Sequence, residues 1–364
     1  MKVLCIHDNG GIDRVDFENA TKTHLPGAEV YFEPTDPSIQ LFKIEHEGPG
    51  SVAIPEGMKK PEYKDIDVLL GGILCPFSRE IMDMFPNLKV IGTGRGGLEN
   101  VDMEAAKEKG IVVVNGYGRN AQAVSDFAVG LAIAEIRNIG RAYALLHEKK
   151  EWSKKPWPNF PYSPHICDCT VGIFGFGYIG KLVCQKYKGF GSNIIAYDPF
   201  VDEETMAKYG AKKVDAEELF KTSDIVTIHA RLVETTRGIV TKELIDMMKP
   251  TAFFINTARA GLVDYDALLA SLQEHRIGGC ALDVYPDEPL PEDSPWKDLD
   301  NCTCVPHMAG GVRTARPYAA KLLALATAAA IKGEKDTAQI ITKDLIENAS
   351  FKEWATKEVD NVSL

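Results

Sequence analysis

The chain has 364 residues, enough for two domains that each bury most of their apolar surface. Hydrophobic residues at 45% and charged residues at 26% argue against both a disordered and a membrane-embedded chain. A net charge of −11 argues against binding of phosphate backbones as the main task, so no nucleic-acid partner is expected.

The opening stretch MKVLCIHDNG has an apolar run of only Val3 to Ile6, too short for a signal peptide or a membrane span; a cytoplasmic chain without membrane association is expected. Apolar runs at 2–6, 28–32, 67–72, 88–94 and 110–115 alternate with helical or turn-rich segments, which predicts a parallel sheet. Residues 33–64, rich in Pro, Gly and charge, read as a long, partly irregular loop. The pattern over 122–147 predicts one long helix, so poor in polar residues in its first half that it is buried in the core or against a second subunit. EWSKKPWPNFPYSP follows, with Pro156, Pro158, Pro161 and Pro164, and predicts an extended excursion. Its Trp152 and Trp157 are expected to pack in a core or interface rather than reach a neighbour's cleft.

From 170 to 305 the alternation repeats, with apolar runs at 171–174, 193–197, 225–229, 252–255, 278–282 and 302–305. Asp215 and Glu218 are spaced as a capping box. The pattern predicts a doubly wound domain. An alanine-rich helix at 312–332 could return to the first domain, and the charged tail reads as peripheral. The pairs Cys167/Cys169 and Cys302/Cys304 lack zinc-ligand spacing, so no metal is expected.

TVGIFGFGYIGKLV, residues 170–183, places Gly175, Gly177 and Gly180 between a buried strand and a helix. In that context the glycines allow a tight turn, close approach of a pyrophosphate, and close packing of helix on strand. Asp198 lies eighteen residues after Gly180, near the ~20 expected for a carboxylate on ribose hydroxyls. No Arg follows in YDPFVDEE to receive a 2′-phosphate, which favours NAD over NADP. Arg259, Asp283, Glu288 and His307 all fall just past predicted strands, the edge at which open α/β sheets bind ligands. Carbonyl reduction needs a proton donor for the developing alkoxide and a fixed cation for a carboxylate, and His, Glu and Arg supply these.

With GLENVD, VGIFGFGYIG, YDP, NTARAGLVD, ALDVYPDEP and the PH before Met308 in this order, the chain from about 65 to 320 resembles the D-isomer-specific 2-hydroxyacid dehydrogenases. The resemblance implies two doubly wound α/β domains. A Rossmann NAD-binding domain (119–307) is inserted in a flavodoxin-like substrate domain (1–118 and 308–364), with the active site in the cleft and a homodimer formed through the 122–147 helix. It implies His307 as the acid/base, Glu288 as the partner that orients it and raises its pKa, and Arg259 as the cation for substrate carboxylate and C2 oxygen. It also implies a cofactor site of Gly175, Gly177, Tyr178, Ile179, Gly180, Asp198, His229, Ala230, Thr257, Ala258 and Asp283, the last facing the nicotinamide carboxamide. The backbone of Gly96 and Gly97 would receive the carboxylate of a small acidic substrate.

Three departures from the family pattern stand out. Arg95 replaces a small residue and Arg231 a common Pro. They add charge for a second acidic group, such as a phosphate or a sugar-acid chain, or they pair with Glu99 or Glu234; both readings stand. Ser125 and Asp126 replace Ala and Glu with no evident chemical reason. A nicotinamide-sensing regulator, a formate dehydrogenase and a methyltransferase are the competing readings, and the joint presence of Arg259, Glu288 and His307 favours the hydroxyacid dehydrogenase.

Overall fold

The computed structural model describes residues 1–8, 11–40, 43–44, 47–152 and 163–361; Pro156, Trp157, Pro158 and Pro161 lie outside them. Two compact units divide the chain, one built from Met1–Arg119 and Val312–Leu364, the other from Asn120–Gly311.

The first unit opens with β1 (Lys2–His7), α1 (Arg14–His24), β2 (Glu29–Pro34), β3 (Val68–Gly71), α2 (Arg79–Met84), β4 (Val90–Thr93), α3 (Met103–Glu108) and β5 (Val112–Asn115). All five strands are parallel, in the order β2-β1-β3-β4-β5, the flavodoxin-like arrangement. Alternate residues of β1 reach opposite faces. Val3 and Cys5 join the core under α1, whereas Leu4 and Ile6 join the core under α2 and α3. The 33–64 segment is irregular apart from short 3-10 turns at Pro49–Ser51, Glu56–Lys59 and Pro61–Tyr63, with Met58 and Tyr63 buried.

The second unit comprises α4 (Ala121–Ile136), α5 (Ile139–His147), β6 (Thr170–Phe174), α6 (Tyr178–Phe190), β7 (Asn193–Tyr197), α7 (Glu203–Tyr209), β8 (Lys212–Lys213) and α8 (Ala216–Thr222). It continues with β9 (Ile225–Ile228), α9 (Lys242–Asp246), β10 (Phe253–Asn256), α10 (Tyr265–Gln273), β11 (Gly279–Leu282) and β12 (Cys302–Cys304). Its parallel sheet runs β12-β11-β10-β9-β6-β7-β8, so the strand order reverses between β6 and β9. That is the Rossmann order with one further strand, and the reversal is where such sheets bind dinucleotides. Asp215 caps α8 through the Glu218 amide at 2.7 Å, but the Glu218 side chain bonds Lys212 instead of closing the box.

The expected single helix over 122–147 is two helices. The chain breaks at Asn138, whose φ of 54° is left-handed, and the two pieces have different fates. α4 puts Ala128, Val129, Leu131, Ala132 and Ile136 into the core against α6, β10 and β11, while α5 buries none of its residues. Glu135, fully buried near the end of α4, accepts from both Arg141 (3.0 Å) and Thr303, which anchors the break. Ser125 and Asp126 both meet Lys186 of α6, at 2.9 and 3.2 Å, and so tie α4 to α6. Trp152 is 82% exposed, so it does not pack in the core of its own chain.

The chain then returns to the first unit as α11 (Ala315–Ile331) and α12 (Ala349–Asn361). Alanines 319, 320, 324 and 326 let α11 sit close to β4 and β5. The tail is not peripheral. Ile341 donates to Val113 at 2.9 Å along the edge of β5, and α12 buries Phe351 and Ala355 in the same core. Apolar residues at helical spacing inside a charged sequence carry this packing. Among the described residues, no helix is long and apolar enough to cross a membrane.

Candidate active site

The glycine-rich turn is built where the second sheet's order reverses. Gly175 has φ +96°, and a Cβ there would run into the backbone of His229 and Ala230 at the end of β9. Only glycine meets both conditions. A Cβ on Gly180 would strike the Gly175 carbonyl, so this glycine sets how closely α6 approaches β6. Gly177 caps α6 without a side-chain acceptor, leaving the first-turn amides of Tyr178, Ile179 and Gly180 at the positive end of the helix. The Asp198 carboxylate accepts from Phe176 in that turn at 2.8 Å and from Phe200 at 2.9 Å. It therefore holds the turn from the end of β7, with lone pairs to spare for hydroxyls.

Two buried polar atoms nearby lack a partner: Nδ1 of His229 and Oγ1 of Thr257. His229 shares its other nitrogen with Thr227 at 2.8 Å, and burial pushes its pKa down to about 3, so the ring is neutral. The bare turn, the start of α6 and these two orphan atoms fit a bound dinucleotide. Ala230 and Ala258 are half-buried beside them.

His307, Glu288 and Arg259 form a second group in the same unit. His307 Nδ1 lies 2.6 Å from Glu288 Oε2, while Glu288 Oε1 accepts the Tyr285 amide at 2.8 Å. The hydrogen bond to Glu288, and then its charge, raise the His307 pKa against burial and the Arg259 charge. Burial pushes Glu288 up, but the bonds from His307 and Tyr285 outweigh it, and its pKa is lowered. Arg259 acts on both partners through its charge. Its guanidinium is exposed, gives Nη1 to the Ala258 carbonyl at 2.8 Å, and pairs with no carboxylate among the described residues.

Two buried residues position this group: Asn256, which sequence reasoning missed, and Asp283, which it placed facing the cofactor. Asn256, fully buried at the end of β10, accepts from the Ala258 amide (2.9 Å) and donates to the Arg259 carbonyl (3.2 Å). The Asn inside INTAR was its only signal. Asp283, 1% exposed, accepts from Met308 at 2.7 Å and from Ala309 at 3.0 Å. Both oxygens thus serve the loop that carries His307, whose own φ of 48° is left-handed. These bonds keep residues 308–311 with the second unit.

In the first unit, Gly96 is exposed, and its amide and that of Gly97 donate to no described residue. A Cβ on Gly97 would strike the Glu99 carboxylate. Asn100, buried, ties this loop to Thr93 (2.9 Å) and Cys75 (2.8 Å) and was also missed. Arg95, 6% exposed, lies 3.5 Å from Glu99, the local pairing held open above. Arg231 is exposed and has no ion pair among the described residues, because Glu234 faces Arg237 at 4.0 Å.

The family model for the D-isomer-specific 2-hydroxyacid dehydrogenase NAD-binding domain matches residues 129–309. The chain is 37% identical to a D-3-phosphoglycerate dehydrogenase of Methanocaldococcus jannaschii over 290 residues, 78% of this chain and 54% of that protein. It is 36% identical to a glyoxylate reductase of Thermofilum pendens over 286 residues, 78% of this chain and 83% of that protein. It thus spans about half of the first relative but most of the second. An NAD-complexed D-isomer-specific 2-hydroxyacid dehydrogenase from Lactobacillus delbrueckii shares the fold, with a TM-score of 0.71 over 94% of this chain and all of that one, at 21% identity. The chain belongs to the D-isomer-specific 2-hydroxyacid dehydrogenases, a family of NAD-dependent oxidoreductases.

Proposed function

We propose that this chain interconverts a D-2-hydroxy acid and its 2-oxo acid, with the second unit as cofactor domain and the first as substrate domain. The Glu288–His307 hydrogen bond, with Arg259 close enough to influence both, carries this reading. Bound NAD, held by the Gly175–Gly180 turn, the α6 amides and Asp198, supplies the hydride acceptor or donor.

Because Nδ1 of His307 is taken by Glu288, the proton for the substrate oxygen resides on Nε2. The raised pKa keeps the imidazole protonated for reduction, and Glu288 stabilises the charge. Arg259 has N–H groups beyond the one given to Ala258, and its planar fork suits a carboxylate and the adjacent C2 oxygen together. Asp283 acts by holding residues 308–309, which aims His307. The unpartnered amides of Gly96 and Gly97 suit a substrate carboxylate.

The test is NADH oxidation with hydroxypyruvate, glyoxylate, pyruvate and phosphohydroxypyruvate, with His307→Ala as control. Turnover by the wild-type protein that the variant lacks supports the reading, and NADH binding without reduction of any acid overturns it. The chain also acts as a homodimer in this proposal. Ile139, Tyr143 and Leu146 form a stripe along α5 and are 53%, 60% and 44% exposed, which suits contact with a second copy. Tyr143→Glu should shift the sedimentation coefficient toward the monomer.

A further inference from the structure

One charge at the carboxyl edge of the first sheet has no paired carboxylate among the described residues. Arg119, four residues past β5, is half-buried; its Nε is shut off from solvent, and its guanidinium has no hydrogen-bond or ion-pair partner among the described residues. Its neighbour is another cation. Burial and then the Arg95 guanidinium both disfavour the charged form of Arg119, with only Asp8 opposing them.

The backbone fixes this juxtaposition. The Gly116 amide bonds the carbonyls of both Thr93 (2.9 Å) and Arg95 (2.8 Å), which locks the loop after β5 onto the loop after β4. The Arg119 stem packs over Gly116, its Cδ 3.3 Å from where a Cβ would stand. Asp8, the acid nearest in effect, forms no ion pair with Arg119, and its Oδ1 is itself buried without a hydrogen-bond partner. It is 1% exposed at the end of β1 and accepts from the amides of Ile73 and Leu74. Glu99 sits on Arg95, leaving Arg119 without a carboxylate of its own among the described residues.

A partly desolvated guanidinium without a paired carboxylate is costly, and reducing that cost is a source of affinity for any anion that reaches it. We infer that Arg119, backed by Arg95, receives a second anionic group of the substrate, a phosphate or a carboxylate, apart from the carboxylate assigned to the Gly96 and Gly97 amides. The inference rests on the dehydrogenase reading above and narrows its substrate to dianionic 2-oxo acids. Two positive groups near one anion suit such a group better than a neutral hydroxyl, which would leave the Arg119 charge uncompensated.

Two matched pairs of acids test it with NADH: phosphohydroxypyruvate against hydroxypyruvate, and oxaloacetate against 2-oxobutanoate. The first pair reports on phosphate, the second on carboxylate. The wild-type protein should prefer the dianion in at least one pair. Arg119→Gln should lower that preference about tenfold or more, chiefly through KM, and Arg119→Lys should restore part of it. Absence of any dianion preference, or a preference unchanged in Arg119→Gln, overturns the inference. If no acid is reduced, the dehydrogenase reading fails, and inorganic phosphate reads the site alone. Thermal protection of wild type that exceeds that of Arg119→Gln supports the site, and equal protection overturns it.

Discussion

Acids and arginines play opposite parts at the carboxyl edges of the two sheets. In the second unit Asp198, Asp283 and Glu288 each accept at least one backbone amide, and Asp8 does the same in the first. The arginines Arg259, Arg231 and Arg119 pair with no carboxylate among the described residues. The acids therefore shape the loops, and the cations are left to meet an anionic ligand. A net charge of −11 conceals this division. The units differ in how far it goes: the second couples its acid Glu288 to the His307 imidazole, the proposed proton carrier, whereas the first holds its cation half-buried.

The strongest break of this comparison is at the proton carrier. His307→Ala should lower kcat for 2-oxo acid reduction by about 10²–10⁴-fold with cofactor binding retained, as measured by steady-state kinetics and NADH fluorescence. Retained turnover would remove the distinction between the two edges.

Loop-shaping acids should act through geometry. Asp283→Ala strands the amides of Met308 and Ala309, at a cost of about 1–3 kcal/mol in denaturant unfolding. It should also lower kcat more than it raises the KM for NADH, because the loop it frees carries His307.

Glu288→Gln sharpens the comparison by changing charge at nearly constant shape. The folded His307 pKa lies above its ordinary value, so the protonated form needed for reduction persists to higher pH in the wild type. Removing the carboxylate charge should move the alkaline limb of the reduction profile, and the acid limb of the oxidation profile, to lower pH. The linked stability has the same sign. It is present below the ordinary His value and lost as pH rises through the folded value.

The mildest effect belongs to Asp8, whose carboxyl burial pushes up to about 6. The folded chain then binds a proton more readily than the unfolded one between the ordinary Asp value and about 6. Stability should rise as pH falls through that window, by an amount that Asp8→Asn removes from thermal unfolding curves.

Much of the second unit was legible because its chemistry sits at fixed offsets from strand ends. Gly175 and Gly180 are glycines for steric reasons, and Glu288 and His307 follow two neighbouring strands. Asn256 and Asn100 were missed because a buried amide serving backbone groups leaves no pattern in sequence. The break at Asn138 was hidden for a similar reason: the apolar spacing continues across it, and only a left-handed residue held by the Glu135–Arg141 pair divides core helix from exposed helix. Arg119 was overlooked because isolation of a charge, unlike its presence, depends on the neighbours the fold supplies. The tail deceived by composition, since its few apolar residues do the packing and one of its acids, Glu358, is buried against the amino group of Met1.

The left-handed backbone at His307 has a consequence for how this position could change. Local energetics there favour glycine or asparagine, and a histidine in that region gives up about 1 kcal/mol or more. A library screened for heat resistance alone would tend to drift away from the imidazole and, on the proposed role of His307, enrich folded but inert proteins. Retaining histidine requires a screen for turnover, and the residue marks a point where durability and chemistry pull the same backbone in opposite directions.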